Sequence, residues 1–124
     1  MKLFFLLIAM CTLLLSATDC GKKTSHATKY RARLETKGIC LNYTIRLLDD
    51  ADSLDINKNW TDEVTHKSYT NVFALGNPCS FPAAIKEGEE FYFTVDTTVD
   101  RDCAICMAYY PKPSKSLIIK VVDK

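Results

Sequence analysis

Cysteines are the residues of this chain best suited to chemistry. Cys11 lies in an apolar N-terminal run, which leaves Cys20, Cys40, Cys79, Cys103 and Cys106 for the rest of the chain. Small extracellular domains commonly pair their cysteines in disulfides that stabilise the fold by about 2–4 kcal/mol each. Five is an odd number, so at most two intramolecular bonds form. The remaining thiol either joins a second chain in a disulfide-linked dimer or stays buried and free.

Cys103-Ala104-Ile105-Cys106 has the spacing of redox-active dithiols. Such a pair reacts when it begins a helix, because the helix N-terminus lowers the pKa of the first thiol. The residues that follow, up to Tyr110, have strand character instead, so the pattern favours structural disulfides. A structural zinc site needs four ligands and usually two such pairs. Only one pair is present, and we predict no metal site.

The remaining polar residues form no catalytic pattern. His26 and His66 stand alone in polar surroundings and are interpreted as surface residues. The sequence contains neither a G-x-S-x-G nor an H-E-x-x-H motif, so no nucleophile or catalytic metal is indicated. We therefore predict that the protein is not an enzyme and holds no cofactor.

Acidic residues are concentrated between Asp49 and Asp55. The stretch lacks the glycine at the sixth position and the glutamate at the twelfth that a calcium loop of the EF-hand type requires. It favours a solvated loop, with weak extracellular calcium binding as the alternative. Trp60, in the same predicted loop, either anchors a protein partner or folds over the mouth of the barrel proposed below.

The N-terminus is typical of a secretory signal peptide. Lys2 precedes an apolar run from Leu3 to Leu15, and the small residues Ser16 and Ala17 follow it. Because a membrane-spanning helix needs roughly 20 apolar residues, this run is too short to serve as one. We predict cleavage after Ala17, so that residues 1–17 are the signal peptide and residues 18–124 form a single secreted domain.

Two further features concern the environment of the mature protein. The sequons that begin at Asn42 and Asn59 predict N-glycosylation of both side chains in the extracellular space. The chain has 16 Lys and Arg against 15 Asp and Glu, and removal of Lys2 makes the two equal. A neutral domain argues against nucleic acid or an anionic membrane as the partner, and favours an extracellular protein.

Alternation of apolar and polar residues predicts strands rather than helices. Tyr30, Ala32 and Leu34 share one face of the first strand, and charged residues share the other. In the second strand Leu41, Tyr43, Ile45 and Leu47 should point inward, and Asn42, Thr44 and Arg46 outward. Six strands are predicted, over residues 30–35, 41–47, 65–75, 91–95, 103–110 and 117–122, with a loop over 49–59. The expected fold is all-β: a small disulfide-stapled antiparallel barrel of the OB type, with a sandwich as the alternative.

The order of these features is similar to that of the netrin-like module. That module is the OB-type barrel shared by tissue inhibitors of metalloproteinases and by C-terminal domains of netrins and complement proteins. The resemblance rests on residues 30–34, 43–48 and 69–73, on Cys79, on residues 85–93, and on a closing Cys103 or Cys106 with Tyr110-Pro111. It implies the barrel architecture and a protein-binding role.

The metalloproteinase inhibitors of this family begin with a Cys-x-Cys sequence, and the first α-amine and carbonyl chelate the zinc of the enzyme. By that resemblance Cys20 is a binding residue only if it becomes the N-terminus. Cleavage after Ala17 instead makes Cys20 the third residue, and no second cysteine lies two positions beyond it. Cleavage directly before Cys20 would place Asp19 where signal peptidase disfavours it.

A competing resemblance is to the transthyretin-like secreted proteins of nematodes. It rests on Gly38-Ile39-Cys40, on the strand that runs into Asp49-Asp50, and on Thr61-Asp62, whereas the C-terminal cysteines do not match. The MD-2-related lipid-binding sandwich is a third candidate, on length and strand number alone. Either would imply that the protein carries an apolar small molecule.

Two functions therefore follow as hypotheses. The first is a secreted, disulfide-bonded protein-binding module, with inhibition of an extracellular enzyme as one form. The second is a carrier of an apolar ligand, in which the strand Phe91-Tyr92-Phe93 lines a cavity. For the disulfides, we expect Cys20 to bond Cys79, Cys103 or Cys106, and Cys40 to bond a neighbouring strand.

Overall fold

The computed structural model describes residues 27–50, 52–98, 104, 106 and 108–124. The predicted signal peptide, Cys20, His26 and Cys103 lie outside these residues. The strands are β1 (Lys29–Lys37), β2 (Tyr43–Leu47), β3 (Asn57–Thr61), β4 (Ser68–Leu75), β5 (Glu90–Val95), β6 (Ser116–Leu117) and β7 (Ile119–Val122). Single turns of 3-10 helix lie at Ile39–Leu41 and Pro78–Ser80.

The strands form one sheet in the order β3-β4-β2-β1-β5-β7. Every neighbouring pair along this path is antiparallel. β6 lies off the path and pairs with β4 in parallel. The predicted all-β class is therefore confirmed as an antiparallel sheet that is not closed along this path.

Alternation in β1 and β5 builds the core as expected. Ala32 and Leu34 of β1 are fully buried, and so is Phe93 of β5. The ring of Phe93 lies 5.8 Å from that of Phe73 and 5.5 Å from that of Tyr30, between ring centres. Burial of such a side chain stabilises a fold by about 1.5–3 kcal/mol, so these rings hold the strands together.

The prediction of a loop up to Asn59 is wrong, because β3 begins at Asn57. Asparagine and lysine are poor strand formers, and this stretch shows no apolar alternation. Pairing with β4 compensates: the Trp60 ring stacks on Tyr69 at 5.7 Å, and the hydroxyls of Thr61 and Ser68 lie 2.8 Å apart. Partners on another strand thus override the local propensity.

Two further local predictions fail. The predicted strand over 103–110 is absent from its described residues, and of these Ala104, Cys106, Ala108 and Tyr109 are exposed. Thr44, expected to point outward, is fully buried between Thr36 and Ala74 on the neighbouring strands. The inside-outside pattern of β2 is thus broken at a position that carries a small, β-branched side chain.

The strand predicted over 117–122 is interrupted at Ile118. The part before Ile118 pairs with β4, and the part after it pairs with β5. The backbone N–H of Gly76 donates to the carbonyl of Leu117 at 2.7 Å, and that of Asp96 donates to Ile118 at 2.9 Å. The C-terminal segment thereby joins the end of β4 to the end of β5. Glycine suits this junction, because a Cβ on Gly76 would lie in tight contact, 3.0 Å from the Leu117 carbonyl oxygen.

The Asn77 side chain continues these hydrogen bonds to the next residue of the segment, Ile119. Its Nδ2 donates to the carbonyl of Ile119 at 2.7 Å, and its Oδ1 accepts from the Ile119 N–H at 3.0 Å. The buried amide thus takes the place of a peptide group of a neighbouring strand. It satisfies backbone groups of Ile119 that would otherwise be buried without partners.

We expect Asn77→Ala to lower the free energy of unfolding by about 2–4 kcal/mol, because both buried groups of Ile119 lose their partner. The measurement is the urea midpoint of unglycosylated protein. Asn59→Ala, at an exposed position of β3, is the control and should cost less than about 0.5 kcal/mol. An unchanged midpoint for Asn77→Ala would contradict the role of this amide.

Candidate functional site

A disulfide joins Cys40 to Cys106 across 66 residues of sequence. It ties the turn after β1 to the C-terminal segment, and we call this part of the molecule the disulfide end. The expectation that Cys40 bonds a neighbouring strand is wrong, since Cys106 belongs to no strand. Cys106 is consequently not the partner of Cys20 in this structure. Cys79 is disulfide-bonded as well.

The turn at Cys40 holds an unusual backbone. Cys40 and Leu41 have φ angles of 58° and 61°, in the left-handed region that costs a residue with a Cβ roughly 1–2 kcal/mol. Hydrogen bonds hold the turn closed: the Gly38 N–H donates to Asn42 O at 3.0 Å, and Asn42 Nδ2 donates to Ile39 O at 3.0 Å. The predicted glycosylation site Asn42 is therefore half-buried and used in the turn.

Tyr110 covers the same turn from the C-terminal segment. A Cβ on Gly38 would overlap its ring, so only glycine allows this approach. Burial is the largest of the causes that raise the pKa of Tyr110, followed by the charge of Asp62. Tyr110 thus lies between the turn after β1 and the loop that joins β3 to β4.

Tyr109 points outward and meets that loop through its hydroxyl. The Tyr109 O–H donates to Glu63 Oε2 at 2.9 Å. This hydrogen bond, together with the negative charge of Glu63, raises the pKa of Tyr109, because both oppose loss of the phenolic proton. The ring is therefore held in one place although it is exposed.

Asp62 fixes the loop between β3 and β4. Its buried carboxylate accepts from the N–H groups of Val64 at 2.8 Å and Thr65 at 3.1 Å. Burial alone would raise the pKa of Asp62, but the hydrogen bonds from Thr65 and Val64, with the nearby His66, outweigh it and lower the pKa. The loop is consequently closed by an ionised side chain, and Val64 is displayed at its tip.

Three large apolar side chains are exposed on the disulfide end and on the β3–β4 loop that Tyr109 contacts. Ile39, Val64 and Tyr109 are 62%, 70% and 76% exposed. Each comes from a different part of the chain, and the Cys40–Cys106 bond and the Tyr109–Glu63 hydrogen bond connect those parts. We call these three residues the apolar tip. Apolar side chains displayed by restrained backbone are a feature of protein-binding surfaces.

The other predicted site residues are dispersed. Trp60 is half-buried in β3 and packs on Tyr69, while Asn59 beside it is exposed. The carboxylates of the acidic stretch pair with separate cations: Asp52 with Lys58 and Asp55 with Lys115, each at 3.0 Å. No group of three metal-ligating side chains occurs among the described residues.

A cavity of about 360 Å³ lies against β7. Its lining includes Phe81 and Ile119, with Asp96 and Lys120 as its charged groups. Hydrogen bonds from the hydroxyl and the N–H of Thr98 lower the pKa of Asp96. The aromatic side chains of the carrier hypothesis do not line it: Phe91 packs behind the cavity wall against Phe81, ring centres 5.3 Å apart, and Phe93 packs against Phe73.

Sequence reasoning did not identify the apolar tip. A usable signal was present at Val64, a large apolar residue within a loop that is otherwise polar. Tyr109 was assigned to a buried strand, and only the fold shows that its side chain is exposed.

No family model matches this chain, and neither a curated protein nor a solved structure matches it. Within the part of the chain that the structure describes, no helix is long and apolar enough to cross a membrane.

Removal of the Cys40–Cys106 bond should destabilise the protein substantially. For a loop closed across 66 residues, the chain-entropy model gives about 4 kcal/mol. The variant is Cys40→Ala/Cys106→Ala, which leaves Cys79 untouched and adds no free thiol. Urea denaturation measures the effect, and a loss smaller than about 1 kcal/mol would show that other contacts hold the C-terminal segment.

Asp62 should make stability depend on pH in the acidic range. Its pKa is lower in the folded protein, so its ionised form stabilises the fold above its unfolded pKa of about 3.9, and this is lost as pH falls through the folded value. Asp62→Ala should cost about 1–3 kcal/mol at pH 7, and less below pH 4. Urea midpoints from pH 2 to 7 measure the difference, which would be independent of pH if Asp62 had no such role.

Proposed function

We propose that this protein is a secreted, disulfide-bonded module that binds another extracellular protein through the apolar tip. The observation that carries the proposal is the exposure of Ile39, Val64 and Tyr109 on backbone held by a disulfide and by hydrogen bonds. Inhibition of an extracellular enzyme is the form of this function that the netrin-like resemblance implies. The partner is a protein, and neither nucleic acid nor a membrane surface is proposed.

Restraint of the backbone at Ile39 and Val64, and of the Tyr109 hydroxyl, supports binding rather than simple exposure. Ile39 is held by the closed turn, Val64 by the Asp62 carboxylate, and Tyr109 by Glu63. Association costs less entropy when the contacting groups are ordered beforehand. Tyrosine is also among the residues that contribute most to binding at protein interfaces.

The charges around the apolar tip indicate the chemistry of the partner. Glu63 accepts from Tyr109, and Glu87 accepts from the N–H of Lys37 at the end of β1. Both carboxylates belong to exposed residues. Lys67 of the same loop is exposed too. The complementary partner surface therefore has an apolar centre and charges of both signs at its rim, because opposite charges at a rim speed the encounter.

The proposal includes export from the cell. It requires that residues 1–17 are removed and that the cysteines oxidise in the secretory pathway. A glycan on Asn59 belongs to the same proposal, whereas one on Asn42 would stand beside Ile39 in the binding turn and is not proposed. Asn59, exposed in β3, is the more open of the two sites.

Photo-crosslinking from position 109 tests the proposal. Tyr109 is replaced by p-benzoylphenylalanine in the secreted protein, which is irradiated in the fluid that surrounds the producing tissue. We expect one discrete crosslinked product, because the side chain at this position lies at the centre of the proposed contact. A crosslinker at Lys29 is the control, since Lys29 is exposed at the opposite end of β1.

Two exposed substitutions show whether the contact depends on the apolar tip. Ile39→Ser and Val64→Ser should change the free energy of unfolding by less than about 0.5 kcal/mol, because both side chains are exposed. Together they should reduce the crosslinked product from position 109 about tenfold. Equal yields from positions 109 and 29, or a yield that the serine substitutions leave unchanged, would overturn the proposal.

A further inference from the structure

Successive backbone groups of the C-terminal segment form hydrogen bonds alternately to the β4 side and to the β5 side. The carbonyl of Leu117 accepts from Gly76 on the β4 side, and that of Ile118 accepts from Asp96 on the β5 side. The N–H and C=O of Ile119 point back to the β4 side, where they meet Asn77. Because the period of a strand is two, the N–H and C=O of Val121 point to the same side as those of Ile119.

No strand of the described part of the chain occupies that side at Val121. β4 ends at Leu75, and the Asn77 side chain reaches only Ile119. β7 pairs with β5 through its other edge and is the last strand of the sheet. Among the described residues nothing bonds the N–H and C=O of Val121, so one hydrogen-bonding position of the edge is open.

The open position lies beside the cavity described above. Val121 is one of its lining residues, and Phe81 and Pro82 line it from the segment after the second 3-10 turn. Phe81 is buried and Val121 half-buried, so this part of the lining is apolar. An added strand would therefore meet an apolar surface as well as a donor and an acceptor.

Charge specifies the added strand further. Lys120 is exposed and also lines the cavity; its charge contributes to the lowered pKa of Asp96, but no carboxylate of a described residue lies within ion-pair distance of it. A carboxylate on a neighbouring strand would pair with it, as opposite charges on adjacent strands do. Apolar and acidic residues in alternation are consequently the complement of this edge.

We propose that the open edge of β7 at Val121 binds an extended segment of a partner protein as an added strand, with an apolar residue at Phe81 and an acidic residue beside Lys120. The inference rests on the proposed function only in that the partner is a protein. It uses a surface other than the apolar tip, and each surface can be disabled alone.

Amide hydrogen exchange in the free protein is the first test. The N–H of Val121 should exchange faster than those of Lys120 and Val122, since the latter two face β5. If Val121 is protected in the free monomer, another part of this chain occupies the edge. If its protection rises with protein concentration, a second copy does. Either result overturns the proposal.

The second test selects binders from a phage-displayed library of random heptapeptides on the full oxidised protein. We expect enriched sequences that alternate apolar and acidic residues, and protection of the Val121 N–H when such a peptide is added. Val121→Pro removes only the outward N–H, which an edge strand tolerates, and should weaken binding about tenfold. Val121→Thr keeps the N–H and the β-branched shape, and should bind like the wild type.

Each remaining outcome decides against the inference. Failure to enrich any sequence, or equal binding of the enriched peptides to Val121→Pro, would overturn it. Thermal unfolding of Val121→Pro verifies that the variant is folded. Crosslinking from position 109 should be unaffected by Val121→Pro, so a failure of this inference is distinguishable from a failure of the proposed function.

Discussion

The rest of the structure depends on how the C-terminal segment satisfies its backbone hydrogen bonds. Residues 115–119 contact β4 on one side and β5 on the other, although these strands are not neighbours along the sheet. The Asn77 amide continues the pairing where β4 has ended. Buried peptide groups without partners would be costly, so this one side chain secures the position of β7 over the core.

The same segment determines both proposed binding surfaces. Before it reaches β6 it passes the disulfide end, where Cys106 is bonded to Cys40 and Tyr109 meets Glu63. After β6 it forms the edge strand with the open position at Val121. Because the segment is bonded to β4 and β5 between the disulfide end and Val121, it exposes apolar groups at both of these sites while its middle stays packed on the core.

The sequence predicts an element correctly when residues close together in the chain determine it, and incorrectly when distant residues do. β1 and β5 were predicted closely, because alternation of apolar residues reports directly which face of a strand is buried. β3 was missed, because Trp60 and Thr61 owe their place to partners on β4. The strand predicted over 103–110 is absent from its described residues, because Cys106 is held by Cys40 and Tyr110 packs against the turn at Gly38 instead of pairing with a strand.

The sequence by itself determined the all-β class and which faces of β1 and β5 are buried. Only the tertiary structure decided that Cys40 bonds Cys106, that Asn77 replaces a peptide group, and that Tyr109 meets Glu63 beside Val64. The physical reason is distance along the chain. Periodicity is a local property, whereas each of these contacts joins residues that are many positions apart and depends on the whole sheet being formed.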